Sequence, residues 1–242
     1  MSAPTFSLLH ATYGRPSKAI AAMGMAMTHA DNPQLVEYIF AVNQDDEPTL
    51  DAIRYLRENN NNCWPFKFVV GDFAGSAPAW DAAAKVAHGS LFIQMQDDLE
   101  LPLHWDGALL EELEGANTDK DWWIEHPVVV AVRDGYRKDT LLCTAICNAV
   151  RYVQQRGEFI HPGYRSVFSD DEFSVRAYAD EADGKCQVIR TDLVFRHENP
   201  YHTGAPHDAT LARENSPEAY AKGGTLFLQR NQPLIDRGFK TW

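Results

Sequence analysis

Cysteine is scarce in this sequence, basic side chains are outnumbered, and long apolar runs are missing; each shortage removes a class of protein. Four cysteines (Cys63, Cys143, Cys147 and Cys186) in 242 residues are too few and too scattered for a disulfide framework. They read as reduced thiols. Cys143 and Cys147 have the spacing of one buried helix face, and no second Cys or His pair completes a tetrahedral zinc set. No apolar stretch reaches the ~18–20 residues of a membrane helix, and Met1 to Pro4 opens no basic, apolar leader. A cytoplasmic protein without a membrane span is the expectation. With 22 Lys plus Arg against 34 Asp plus Glu, the formal charge is −12, which disfavours nucleic-acid binding through a basic surface.

Several chemical signatures are missing too. There is no Gly-x4-Gly-Lys-Ser/Thr loop, no Gly-x-Gly-x-x-Gly after the first apolar segment, and no Gly-x-Ser-x-Gly elbow. P-loop NTPases, nicotinamide dehydrogenases and α/β-hydrolases are thereby disfavoured. Cys63 has no His close by in sequence and is not a candidate nucleophile.

What is present is an ordinary globular mixture, 45% apolar and 23% charged, with no linker or repeat, so one domain is expected over 1–242. Phe6 to Thr12 predicts a strand, Ser17 to His29 a helix, Val36 to Val42 a strand and Pro48 to Arg57 a helix. Phe66 to Val70, Ala77 to Ala87 and Leu91 to Gln96 continue the alternation as strand, helix, strand. Such βαβ units give an α/β fold with a mostly parallel sheet covered on both faces, and ligands gather beyond the strands' carboxyl ends. In the second half, Trp105 to Glu114, Thr144 to Gln155 and Asp170 to Ala179 have helical spacing; Val128 to Val132, Gln187 to Thr191 and Leu193 to His197 read as strands before a polar, mostly helical tail.

Two acidic clusters stand out. Gln96-Asp97-Asp98 directly follows an apolar strand, where adjacent carboxylates call for a compensating donor or a cation such as Mg or Mn; a solvated turn is the plainer reading. Ser169-Asp170-Asp171-Glu172 opens a helix, where capping accounts for at least one acid, while one facing a cleft could take a proton from a hydroxyl. Among the late histidines, His197 ends an apolar strand and is best placed to reach inward.

Taken in order, these pieces resemble the GT-A glycosyltransferases, particularly the broad family-2-like group. The match runs through Thr12-Tyr13-Gly14-Arg15-Pro16, Asp45-Asp46, Trp80 with Ala82-Ala83-Ala84, and Asp97-Asp98. It continues through Gly157 to Tyr164, Asp170-Asp171-Glu172-Phe173 with Arg176, and Val194 to Pro200. The resemblance implies a GT-A (nucleotide-diphospho-sugar transferase, Rossmann-like) fold, with a nucleotide-binding half over about 1–102 and an acceptor and catalytic half over about 103–242. It implies Thr12, Arg15 and Asp45 around the nucleotide base, and Asp72, Trp80 and Asp97 elsewhere in the nucleotide-sugar site. It also implies a Mn2+ or Mg2+ cofactor on Asp98 or Asp97, with His197 as a further ligand. The leading acidic position of the family's Asp-x-Asp motif is here Met95 or Gln96, and Ser169 replaces a Glu before the candidate base.

The activity implied is hexosyl or pentosyl transfer from a nucleotide-sugar donor, a UDP-sugar as first choice, to an unknown acceptor hydroxyl. Asp170 is the implied general base, with Asp171 the runner-up, and inversion the implied outcome. A modified nucleobase stays open as acceptor. Trp122-Trp123 and the Tyr201 to Asp208 segment are candidates for acceptor contact, with local packing the plainer reading of the tryptophan pair. The alternatives are a sugar-phosphate nucleotidyltransferase, disfavoured by the single Gly between Thr12 and Ser17, and a catalytically inactive nucleotide-binding module.

Overall fold

A computed structural model describes residues 5–59, 64–119 and 121–240; Cys63 and Met1 to Pro4 lie outside the described residues. The first half alternates as the pattern predicts: β1 (Phe6–Thr12), α1 (Pro16–His29), β2 (Val36–Asn43), α2 (Glu47–Asn59), β3 (Phe66–Gly71), α3 (Ser76–Ala84) and β4 (Leu91–Met95). All seven residues of β1 are buried, as a strand covered on both faces requires. Helix α1 begins with Pro16 in its first turn and buries Ala19, Ala22, Met23, Ala26 and Met27, the three-and-four spacing of a single apolar face. Asp46 caps α2, accepting from the Thr49 amide through its carboxylate and from the Leu50 amide through its carbonyl.

The second half contributes β5 (Leu99–Glu100), α4 (Trp105–Gly115), α5 (Trp122–Glu125), β6 (Val128–Arg133), β7 (Ile146–Asn148), α6 (Ser169–Ala182), β8 (Gln187–Val194) and β9 (Arg196–His197). Helices α7 (Pro200–Thr203), α8 (Ala209–Glu214) and α9 (Pro217–Asp236) follow. Seven strands form one sheet in the order β3-β2-β1-β4-β7-β6-β8, and β5 pairs with β9 in a separate two-stranded sheet. β7 alone runs antiparallel to its neighbours β4 and β6; the other pairs of the large sheet are parallel. The core lies in two layers, one on each face of this sheet.

The structure corrects three expectations. Residues 144–155 are not a helix: Ile146–Asn148 is a strand and Val150–Gln154 a turn of π-helix. The reason is period two, for Ile146 enters one core layer and Cys147 the other. Cys143 precedes this strand and shares no helix face with Cys147. The two strands expected over 187–191 and 193–197 are present with the break displaced: β8 runs through Val194, its pairing with β6 irregular between Ala131 and Arg133, and β9 is Arg196–His197. Finally, Trp122 and Trp123 are 6% and 1% exposed and so make no acceptor contact. The Trp122 indole donates to the Leu113 carbonyl at 2.8 Å and the pair packs under α4.

Candidate active site

A cleft of about 400 Å³ opens beyond the carboxyl ends of β1 and β4. Thr12, the last residue of β1, lines it with a buried hydroxyl that has no hydrogen-bond partner among the described residues. Trp80 forms part of the wall, fixed by its indole N–H donating to the Met95 carbonyl at 2.9 Å.

Asp97 is held from two sides. Its Oδ1 lies 3.1 Å from His10 Nε2, and its Oδ2 accepts from Arg15 Nη1 at 3.5 Å. An ionised carboxylate only accepts, so His10 presents Nε2–H to it, and Nδ1 then accepts from the Tyr38 hydroxyl at 2.6 Å. Burial, with the Asp97 charge adding to it, raises the Tyr38 phenol well above its ordinary value and keeps it a donor. Arg15 turns its other edge to Asp208, donating from Nε at 2.8 Å and from Nη2 at 2.6 Å in a bidentate pair.

Asp98 faces the cleft beside His197 because β5 and β9 pair, with Leu99 opposite His197. Asp98 Oδ1 lies 3.3 Å from His197 Nε2, yet without the alignment of a hydrogen bond, so that buried nitrogen has no hydrogen-bond partner among the described residues. Burial pushes the Asp98 carboxyl up, but the His197 imidazole against it, and after that Arg15, outweigh burial and hold the pKa below its ordinary value. Among the described residues no group of three or more His, Cys, Asp or Glu forms a metal site. Asp98 and His197 are nonetheless a carboxylate and an imidazole side by side, the latter with an unused nitrogen. That donor pair is of a chemistry that suits a Mn or Mg ion.

Across the cleft, Phe168 caps α6 with φ of +69°, a left-handed conformation uncommon for a bulky residue. It places Ser169, Asp170 and Asp171 in the lining. Burial, with Asp171 adding to it, raises the Asp170 carboxyl to about 6, while Arg137 opposes the shift. The neighbouring Glu172 points the other way and is buried. It accepts from Arg176 Nε at 2.6 Å, from Arg230 Nε at 3.0 Å and from the Tyr164 hydroxyl. Glu172 thereby ties α6 to α9, and Arg176 serves it rather than Asp170.

Of the sequence-predicted residues, the structure brings Thr12, Arg15, Trp80, Asp97, Asp98, Asp170, Asp171 and His197 into one cleft. Asp45 and Asp72 are exposed and do not line it; the Asp45 carboxylate accepts from the Tyr13 hydroxyl at 3.5 Å. Asp46 holds the loop instead, accepting from the Gly14 amide at 2.6 Å. Sequence reasoning missed His10, and placed Asp208 at the end of a candidate acceptor segment rather than on Arg15. A polar residue inside the apolar strand, two before Thr12, was the available signal for His10; nothing local marks Asp208.

The sheet order, the small β5–β9 sheet and the cleft define the GT-A class of nucleotide-diphospho-sugar transferase folds. Within that class, the chain is similar to S. aureus TarS 1-349, at 12% identity and a TM-score of 0.59, covering 96% of this chain and 77% of that one. The same fragment solved with UDP-GlcNAc matches at 14% identity and a TM-score of 0.57, covering 95% of this chain and 73% of that one. The mannosyltransferase PcManGT from Pyrobaculum calidifontis, solved with GDP-Man and Mn2+, matches at 13% identity and a TM-score of 0.58, covering 96% of this chain and 76% of that one. Against the longer S. aureus TarS structure the chain spans 43% of the length. At such identities the likeness establishes the fold. No protein-family model and no curated protein sequence matches the chain.

Proposed function

We propose that this protein is a metal-assisted glycosyltransferase that moves a sugar from a nucleoside-diphosphate donor to an acceptor hydroxyl with inversion. The observation that carries the reading is the convergence of Asp98 and His197, with its unused nitrogen, on the cleft that Asp170 also lines. Neighbours solved with UDP-GlcNAc and with GDP-Man support a nucleotide-sugar donor, and the two TarS complexes make a UDP-sugar the first choice. The half up to residue 102 binds the donor and the rest serves the acceptor. Asp98 and His197 would hold a Mn or Mg ion, which when bound offsets the charge of the departing diphosphate. Arg15 and Asp97 shape the same end of the cleft. Asp170 accepts the acceptor's hydroxyl proton as that oxygen bonds to the anomeric carbon and the bond to the diphosphate oxygen breaks. Thr12 and Trp80, which line the cleft, are the donor contacts to test, and Asp45 and Asp72 lie outside it.

A thermal-shift series with nucleoside diphosphates, with and without Mn, checks the donor site. A ligand at 100 times its Kd adds about 2.7 kcal/mol to the folded state, a rise of about 5–10 °C for a chain of this size. We expect such a Mn-dependent rise for one nucleotide, and its loss in the Asp97→Ala, Asp98→Ala double variant. No rise with any nucleotide would defeat the reading. The product's anomeric configuration, read by NMR, is expected to be the inverse of the donor's; retention would remove Asp170 from its role.

A further inference from the structure

The outer part of the cleft has a composition unlike its donor end. Of the large apolar side chains left exposed among the described residues, Tyr201 and Tyr220 alone line the cleft, at 56% and 45% exposure. Neither is a loose side chain. Tyr201 stands in the first turn of α7, where Asn199 Oδ1 accepts from its amide at 3.0 Å, and its ring meets His207 edge-on at 4.6 Å. Tyr220 lies on α9 with its ring edge-on to Phe168 at 6.0 Å, the same Phe168 whose left-handed backbone starts α6. Burial raises the Tyr220 hydroxyl, and the Tyr201 phenol and the Asp170 and Asp171 carboxylates push it the same way. The two phenols and the two acids therefore share one electrostatic neighbourhood.

The charge of that region decides what can occupy it. The lining arginines are Arg15, Arg137 and Arg213, and each is paired: Arg15 with Asp208, Arg137 with Asp139 at 3.0 Å, and Arg213 with Glu214 at 2.9 Å. Asp170 and Asp171 add negative charge. An anionic acceptor would meet acids and, among the described residues of the lining, no arginine that lacks a carboxylate partner. Aromatic faces with polar tips, by contrast, suit the C–H face and hydroxyls of a sugar ring.

We propose that Tyr201 and Tyr220 form an acceptor subsite for an uncharged saccharide, whose ring lies on a tyrosine face and whose hydroxyl is directed at Asp170. This deepens the glycosyltransferase reading and rests on Asp170 as the base. The test is saturation-transfer NMR with neutral trisaccharides (cello-, malto- and mannotriose) and with glycerol 3-phosphate, in the presence of UDP and Mn. Wild type, Tyr201→Ala, Tyr220→Ala and the matching Phe variants are compared. At least one trisaccharide is expected to bind the wild type and to weaken about tenfold in either Ala variant, as truncating an anchoring aromatic does. The Phe variants, which keep the ring, should retain binding. UDP binding, followed separately by thermal shift, should be unchanged in all four variants. No trisaccharide binding, binding insensitive to both Ala variants, or preference for glycerol 3-phosphate would overturn the proposal while UDP binding upheld the donor site. Saccharide binding without UDP binding would uphold the subsite and fail the donor reading.

Discussion

Asp170→Asn is expected to lower turnover by about 10²–10⁴-fold, the usual contribution of a positioned general base, while nucleoside-diphosphate binding stays within about twofold. The amide preserves shape but cannot take a proton. Steady-state rates alongside thermal shifts separate the two effects, and equal loss of both would place Asp170 in binding instead. The wild-type rate should rise with pH through about 6, because burial has raised this carboxyl to about 6 and only its ionised form accepts a proton. An ordinary Asp, at about 3.9, would put that limb near pH 4. The same shift sets the sign of a stability effect. Folding opposes ionisation of Asp170, so the penalty is full above about pH 6 and disappears below the unfolded value. Asp170→Asn should therefore melt higher than wild type at pH 7–8, with the gap closing as pH falls toward 4.

Two residues away, Glu172→Gln is expected to do the reverse, costing about 3 kcal/mol and lowering Tm by on the order of 10 °C, as loss of a buried, multiply paired carboxylate does. Glu172 receives hydrogen bonds from Tyr164, Arg176 and Arg230, with Asn231 at 3.4 Å, and its substitution takes the carboxylate from Arg176 and leaves Arg230 with Glu158 alone, at 3.2 Å. Burial alone would raise this carboxyl; Arg230, Tyr164 and Arg176 outweigh it and hold it below its ordinary value. The sign follows: this stabilisation is present at neutral pH and is lost as acid protonates Glu172, the opposite of Asp170. Calorimetry on both variants at pH 5 and 8 tests the contrast. A Glu172→Gln protein as stable as wild type would show that the network is not a tie between α6 and α9.

Strands β1, β2 and β4 were legible because each is buried on both faces, which leaves an apolar run bounded by turn residues, and the half-exposed edge strand β3 keeps such a run in Phe66 to Val70. Asp97, Asp98 and Asp170 were legible because acids after a strand or at a helix start occupy places where chemistry collects. β7 was not, since three residues carry too little pattern to compete with the helical spacing around them. β5 and β9 are two residues each and exist only as each other's partners. Nor could local pattern supply contacts such as His10 to Asp97, separated by 87 positions, or Arg15 to Asp208, separated by 193. For the tryptophan pair, local packing was the plainer reading and is what the structure shows; which helix it packs under is decided by contacts that a sequence window does not contain.

The three-residue strand β7 has a further consequence. It alone joins the parallel block β3-β2-β1-β4 to the block β6-β8, with three residue pairs on the β4 side and one on the β6 side. The ladder is thinnest there, and side chains reinforce it: Gln94 accepts from the Ala145 amide at 2.9 Å, and Asn148 donates to the Trp123 carbonyl at 2.7 Å. Such a seam divides the sheet into two cooperative opening units, and amide exchange should change rate across it rather than gradually along the strands. Gln94 also lines the cleft. A ligand seated there fastens both units at once, so its protection against exchange should spread across the whole sheet, far beyond the residues that it touches.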